Sequence, residues 1–215
     1  MDGTKYKIYL INRDTVGKTN ENGNHFRFLT GFATYDGKAI MPVVGNWLTN
    51  PKEGKKPWIS IQESLSRDEK GEGMEPEQIG FFTINQGDKA DSVRCVVAKM
   101  FGLKLPLSGW LNEKEIEGDH VVTTCLSYSA SDYDYWADKL GDSEEYILND
   151  PEIRESEWTE VVDNLSADLQ EQFQGFLKRY FPSSRVESGN KRRDLLGKLK
   201  KKRGKEEVSQ TAAHF

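Results

Sequence analysis

The sequence is poor in the residues that build disulfides and metal centres. It holds two cysteines, Cys95 and Cys125, and three histidines, His25, His120 and His214. Each cysteine lies in an apolar, β-branched context (SVRCVVAKM and HVVTTCLSY), which predicts buried free thiols in strands. The histidines and cysteines have none of the close spacings that structural zinc requires, so no metal or cofactor is expected. Long apolar runs are also missing: nothing approaches the roughly 18 residues of a membrane helix. The opening MDGTKYKIYLINRD lacks the apolar core and cleavage site of a secretory signal. These absences point to a protein without a membrane span, cytoplasmic or otherwise intracellular.

Catalytic signatures are missing as well. There is no Gly-x-Ser-x-Gly, no His-Glu-x-x-His and no EF-hand pattern. Gly17-Lys18-Thr19 follows an apolar strand, as the end of a P-loop would. However, Asn12 stands where the first glycine belongs, and NENGN is a poor helix start, so no phosphate cradle forms. Asp36 with Glu53 and Lys55 has the order of a metal-dependent nuclease, an acid followed by Glu-x-Lys. That triplet is common by chance in so charged a chain, and here it falls in a Gly/Pro/Lys loop. Neither His25 nor His120 has a partner visible in sequence for nucleophilic catalysis. The chain is therefore expected not to be an enzyme.

What is present is segregated charge. The net charge of −5 conceals two blocks. Residues 131–160 hold eleven acidic and two basic residues, and residues 178–205 hold twelve basic and two acidic ones. The basic run includes Lys191, Arg192, Arg193, Lys198, Lys200, Lys201, Lys202 and Arg203. It can neutralise phosphates without sequence preference, or meet an acidic protein surface. The segment DYDYWADKLGDSEE resembles the acidic, Trp-containing terminal region of phage-type single-stranded DNA-binding proteins, over that segment alone and without a specific motif.

Strand signals dominate the first 130 residues. Residues 5–12, 25–35 and 58–64 alternate apolar and polar positions, and Asp36-Gly37 is a hairpin signal. Residues 38–47 read as a further strand, with Pro42 arguing for an edge or a bulge. Residues 79–85 and 119–130 also read as strands. Residues 65–78, charged and glycine-containing, read as a long loop. In 91–101, Val93, Val96, Val97 and Met100 fall at helical spacing, and a helix is expected there. Further on, Ser131 is read as the cap of a helix carrying Tyr133, Trp136 and Leu140. Residues 165–181 have the clearest helical pattern: Ser166 as N-cap, Asp168 in the first turn, Lys178 and Arg179 in the last, and an apolar stripe of Leu169, Phe173, Phe176, Leu177 and Tyr180.

These features predict an α+β chain in three parts. Residues 1–130 form a β-rich body, an OB-like barrel. Residues 131–182 form an acidic, then amphipathic helical region. Residues 183–215 form a basic, flexible tail. Within the body, Phe26, Arg27, Phe28, Tyr35, Trp47, Lys52, Lys55, Lys56 and Trp58 combine aromatic rings with positive charge. Proteins that hold single strands stack bases on aromatic side chains and follow the backbone with Lys and Arg. The function expected is non-catalytic nucleic-acid binding, single-stranded DNA above all, through those residues and the basic arm. Two alternatives stand beside it. One is a self-assembling structural or adaptor protein, a homo-oligomer joined acidic segment to basic tail, with Trp136, Phe173, Phe176, Leu177 and Tyr180 docking on a neighbour. The other is the metal-dependent nuclease. The positions of Trp47 and Trp58 discriminate best, because exposed rings favour stacking and buried rings do not.

Overall fold

The structure, a computed structural model, describes residues 5–13, 16–37, 39–65, 73–140 and 166–182. Met1–Pro182 form one compact unit, and the basic block of 183–215, with every tail residue named above, lies outside the described residues.

Among the described residues, nine strands make a single antiparallel sheet: β1 (Tyr6–Asn12), β2 (Lys18–Thr19), β3 (His25–Tyr35), β4 (Ala39–Leu48), β5 (Trp58–Glu63), β6 (Gln78–Asn85), β7 (Ser92–Met100), β8 (Leu103–Ile116) and β9 (Asp119–Tyr128). From β3 to β9 each strand pairs with the next in sequence, and β1 lies between β9 and β3, which closes an eight-stranded barrel. The short β2 adds to the end of β3 that β1 does not reach, pairing Lys18 with Phe26 and Thr19 with His25. The β-rich body expected from the alternation is therefore a closed antiparallel barrel.

An eight-stranded barrel has an interior that side chains alone can fill. Alternate residues do so here: Ile8 and Leu10 from β1, Leu29 and Ala33 from β3, Ile59 and Ile61 from β5, and Leu105 and Leu107 from β8 are buried in one cluster. Two glycines permit the tight curvature. A Cβ on Gly31 would stand 1.8 Å from the carbonyl oxygen of Tyr9, and one on Gly109 would stand 2.3 Å from that of Cys125. Only a residue without a side chain lets those backbones approach.

Several expectations need correction. Residues 92–100 are strand β7, not a helix. The valines that fall at helical spacing are β-branched, and strand pairing with β6 and β8 outweighs the helical pattern. Pro42 sits in an interior strand, not an edge; it is accommodated because the β5 ladder ends at Val43–Glu63 and its carbonyl accepts from Ser64 N at 2.9 Å. The cysteines are free, as expected. Cys95 points into the barrel, whereas Cys125 lies on the outer side beside Tyr9, with all of β8 between their strands.

Among the described residues, two helices lie outside the barrel: α1 (Ala130–Leu140) and α2 (Ala167–Tyr180). The cap of α1 is Ser129, not Ser131, since the Ser129 hydroxyl accepts from Asp132 N at 3.3 Å. Asp132 in turn accepts from the Ser108 hydroxyl at 2.9 Å, and Arg94 lies 5.9 Å from the Trp136 ring centre, so α1 rests on β7 and β8. Helix α2 begins as predicted, with the Ser166 side chain accepting from Leu169 N. Its stripe packs on the chain's own barrel. Phe173 meets Tyr9 at 6.1 Å and Phe32 at 5.5 Å between ring centres, and Phe176 meets Phe32 at 5.1 Å. Arg179 pairs with Glu117 in the β8–β9 turn, and Arg13 lies over the Tyr180 ring. No helix among the described residues is long and apolar enough to cross a membrane.

Candidate nucleic-acid interface

In a barrel wall, successive residues of a strand face alternately inward and outward. That alternation separates the predicted aromatic residues into two groups. Arg27 and Trp47 are register partners and turn inward at the barrel mouth, where the guanidinium lies 5.3 Å from the indole centre. Trp47 packs against the core, and its Nε1 is buried without a hydrogen-bond partner among the described residues, as is Arg27 Nε. Both side chains thus turn toward the barrel interior rather than onto the outer face.

Phe26, Phe28 and Trp58 turn outward. Across the outer surface, Phe28, Asn46, Ser60 and Phe81 form one row of register partners through β3, β4, β5 and β6. The next row is Phe26, Leu48, Trp58 and Thr83. Leu48 is buried, and the rings on either side of it meet, Phe26 to Trp58 at 6.1 Å, with Trp58 to Phe81 at 5.6 Å, both edge-on. Phe28 and Phe81 remain exposed, at 42% and 61%. Such exposure of large apolar rings on one face is unusual unless something covers them.

Beside Phe26, Phe28 and Trp58 lies a groove of about 460 Å³. Phe26, Phe28 and Trp58 form its walls, and Asn46 and Ser60 form its floor. The hairpin of β2 supplies the remaining side through Lys18, Thr19 and Asn20. That hairpin is held by a local polar turn, in which Asn20 Oδ1 accepts from Asn22 N and Asn24 N at 3.1 and 3.0 Å. Gly17-Lys18-Thr19 thus serves as a strand edge rather than a phosphate loop. Lys18 Nζ lies 5.7 Å from the Phe28 ring centre. The β4–β5 loop, which leads into Trp58, carries Lys52, Lys55 and Lys56, all exposed. Lys56 donates to Asn85 Oδ1. Glu21 and Glu53 are the acids in the two flanking turns.

The other candidates fall elsewhere. Asp36 lies in the β3–β4 turn and Glu53 and Lys55 lie in the β4–β5 loop, at opposite ends of β4, a span of about 33 Å for ten extended residues. They cannot share a metal ion. Among the described residues no cluster of His, Cys, Asp and Glu is placed to hold one. His25 is engaged structurally, with Nδ1 2.6 Å from Thr49 Oγ1 and Nε2 2.6 Å from the Val16 carbonyl. Phe173, Leu177 and Tyr180 are buried under α2, so these three are not available to dock on a second copy. Phe176 and Trp136 are half-buried in contacts within the chain.

The groove also recruits residues that sequence reasoning passed over, Lys18, Asn46 and Ser60, and Phe81 stands beside it against Trp58. Alternation in IGFFTIN sends one of its adjacent phenylalanines in and the other out, which is a readable signal for Phe81. Trp110, 58% exposed on the outer face of β8 opposite Ser92, was likewise missed. No family model matches the chain, and neither a curated protein nor a solved structure matches it.

Proposed function

We propose that this protein is a non-catalytic binding module for single-stranded nucleic acid, holding the strand on the outer face of β3–β6. The observation that carries the reading is the outward cluster of Phe26, Phe28 and Trp58 around an open groove edged by Lys18, with Phe81 against Trp58. Unpaired bases offer flat apolar faces to such rings, and Lys18, Lys52, Lys55 and Lys56 complement the phosphates. Because side chains fill the barrel interior, the binding surface is external. That use of a strand face on a small closed barrel is OB-like, although the strands here follow one another in sequence order. The basic block 183–215 would add sequence-independent affinity, and two free thiols suit a reducing, intracellular setting.

The test is anisotropy of a labelled, unstructured oligonucleotide titrated with the full chain at several salt concentrations. Binding should weaken steeply as salt rises, and less steeply for a protein ending at Pro182. Phe28→Leu and Trp58→Leu should each weaken binding about tenfold, since one stacked base contributes roughly 1–3 kcal/mol. Failure to bind at low salt, or leucine variants that bind as tightly as the parent, would refute the proposal.

A further inference from the structure

We infer that His25 is a protonation-controlled staple of the groove, its charged ring fastening the β2 hairpin, and with it Lys18, to the end of β4. This rests on the strand-binding reading above and assigns that site a regulation by pH. Histidine is the side chain whose charge ordinarily changes between about pH 5 and 8. The His25 ring stands where three segments meet. On one side, Nε2 lies 2.6 Å from the Val16 carbonyl, just before β2. On the other, Nδ1 lies 2.6 Å from Thr49 Oγ1, just after β4. Gly17 makes room for the ring, since a Cβ there would stand 2.8 Å from it.

The hydrogens decide which form of the ring fits. A carbonyl only accepts, so Nε2 carries a hydrogen to bond Val16. The Thr49 hydroxyl donates to the His25 carbonyl at 3.2 Å. With that hydrogen committed, the Thr49 oxygen offers Nδ1 only lone pairs, and Nδ1 must supply a hydrogen of its own. The three contacts therefore need three hydrogens. A neutral ring and the hydroxyl supply two; the imidazolium and the hydroxyl supply all three. Positive charge also makes the bond to the Val16 carbonyl roughly twice as strong. The hairpin is otherwise lightly held. It pairs with β3 at Lys18 and Thr19, and Asn50 donates to the Gly23 carbonyl near its tip. Lys18, Thr19 and Asn20 form one side of the groove, so loosening the hairpin opens that side and withdraws Lys18 from Phe28. The charged side chains on the segments around the ring are Lys18 and Glu21 on the hairpin, Arg27 on β3, and Glu53 with three lysines on the β4–β5 loop. None of them is a hydrogen-bond partner of the ring. An anionic strand laid among them favours the charged ring, and by linkage the charged ring favours the strand.

The test uses the full chain carrying His120→Gln and His214→Gln, which leaves His25 as its one histidine. Anisotropy of a labelled oligo(dT) is read at about pH 5.5 and pH 8 at one ionic strength, with and without His25→Gln or Thr49→Val. Binding should be at least about fivefold tighter at the lower pH, the low end of couplings between two sites. His25→Gln should abolish that ratio, and Thr49→Val, which keeps the ring and removes its second acceptor, should reduce it. In the protein without oligonucleotide, NMR at the lower pH should show a slowly exchanging Nδ1–H on His25 that Thr49→Val loses. A ratio in either variant equal to the parent's, or no such Nδ1–H signal, overturns the staple alone. No binding at either pH overturns the strand-binding reading, and the Nδ1–H signal then decides the staple separately.

Discussion

Replacing Phe173 by alanine tests whether the amphipathic helix belongs to its own barrel or to a neighbour. Phe173 is fully buried between α2 and the outer faces of β1 and β3. Removing a buried phenylalanine side chain costs roughly 3–5 kcal/mol. Here it also deletes two ring contacts, to Tyr9 and Phe32, which places the loss at about 4 kcal/mol. For a unit of this size each kcal/mol shifts the melting temperature by about 2–4 °C, so a fall of about 8–16 °C is expected. Circular dichroism melts and urea titrations followed by tryptophan fluorescence read the change, each at two protein concentrations a hundredfold apart. Docking within one chain makes both proteins' stability independent of concentration. If Phe173→Ala changed stability by less than about 1 kcal/mol, or if the parent became more stable as concentration rose, the intramolecular docking of α2 would be wrong.

Two further expectations concern the barrel itself. Gly31→Ala should prevent soluble folding, because the new Cβ would overlap the Tyr9 carbonyl backbone, whereas Gly23→Ala, in open space at φ +76°, should cost only about 1–2 kcal/mol; the comparison is made by soluble yield and thermal melts. Burial pushes the Cys95 thiol up to about 11 from an ordinary 9.0, with backbone hydrogen bonds at Val97 and Phe81 opposing. The folded pKa is the higher one, so the stabilisation is complete below pH 9 and is lost as pH rises towards 11. It amounts to about 3 kcal/mol, and Cys95→Ala should flatten that part of the stability–pH curve; an identical decline in the variant would show that other groups cause it.

Much of the barrel was readable in the sequence because most of its strands pack one face inward and leave the other at least partly exposed. Residues 6–12, 25–35 and 58–63 alternate, and their boundaries in the structure fall within a residue or so of those the pattern predicts. Strand β8 was not readable. LKLPLSGWLNEKEI carries Pro106 and Gly109, which normally interrupt strands, yet Pro106 sits at the irregularity of the β7–β8 ladder and Gly109 at a close strand crossing. Its flanking turns are also atypical. Phe101-Gly102 and Glu117-Gly118 take positive φ at both residues, as tight hairpins demand, but neither begins with the usual Asn or Asp. Without those turns, the valines of 93–97 looked helical. The site divided in a similar way. Composition located the aromatic and lysine-rich third of the chain, but the side on which each ring falls depends on strand register. A single step separates Trp47, inside, from Leu48, whose neighbour Trp58 lies outside.

Closure by β1 also shapes how the chain must fold. The wall from β3 to β9 can form hairpin by hairpin, since each strand meets its sequence neighbour. The last seam joins Lys7 to Ser127 and Asn12 to Val122, across more than a hundred residues of intervening chain. Contacts so distant in sequence form slowly, because loop entropy is lost before they are gained. Until they form, β9 presents an unpaired edge able to capture another chain. The β1–β9 seam, rather than any hairpin, therefore sets the folding rate and the period during which the nascent barrel is prone to aggregate.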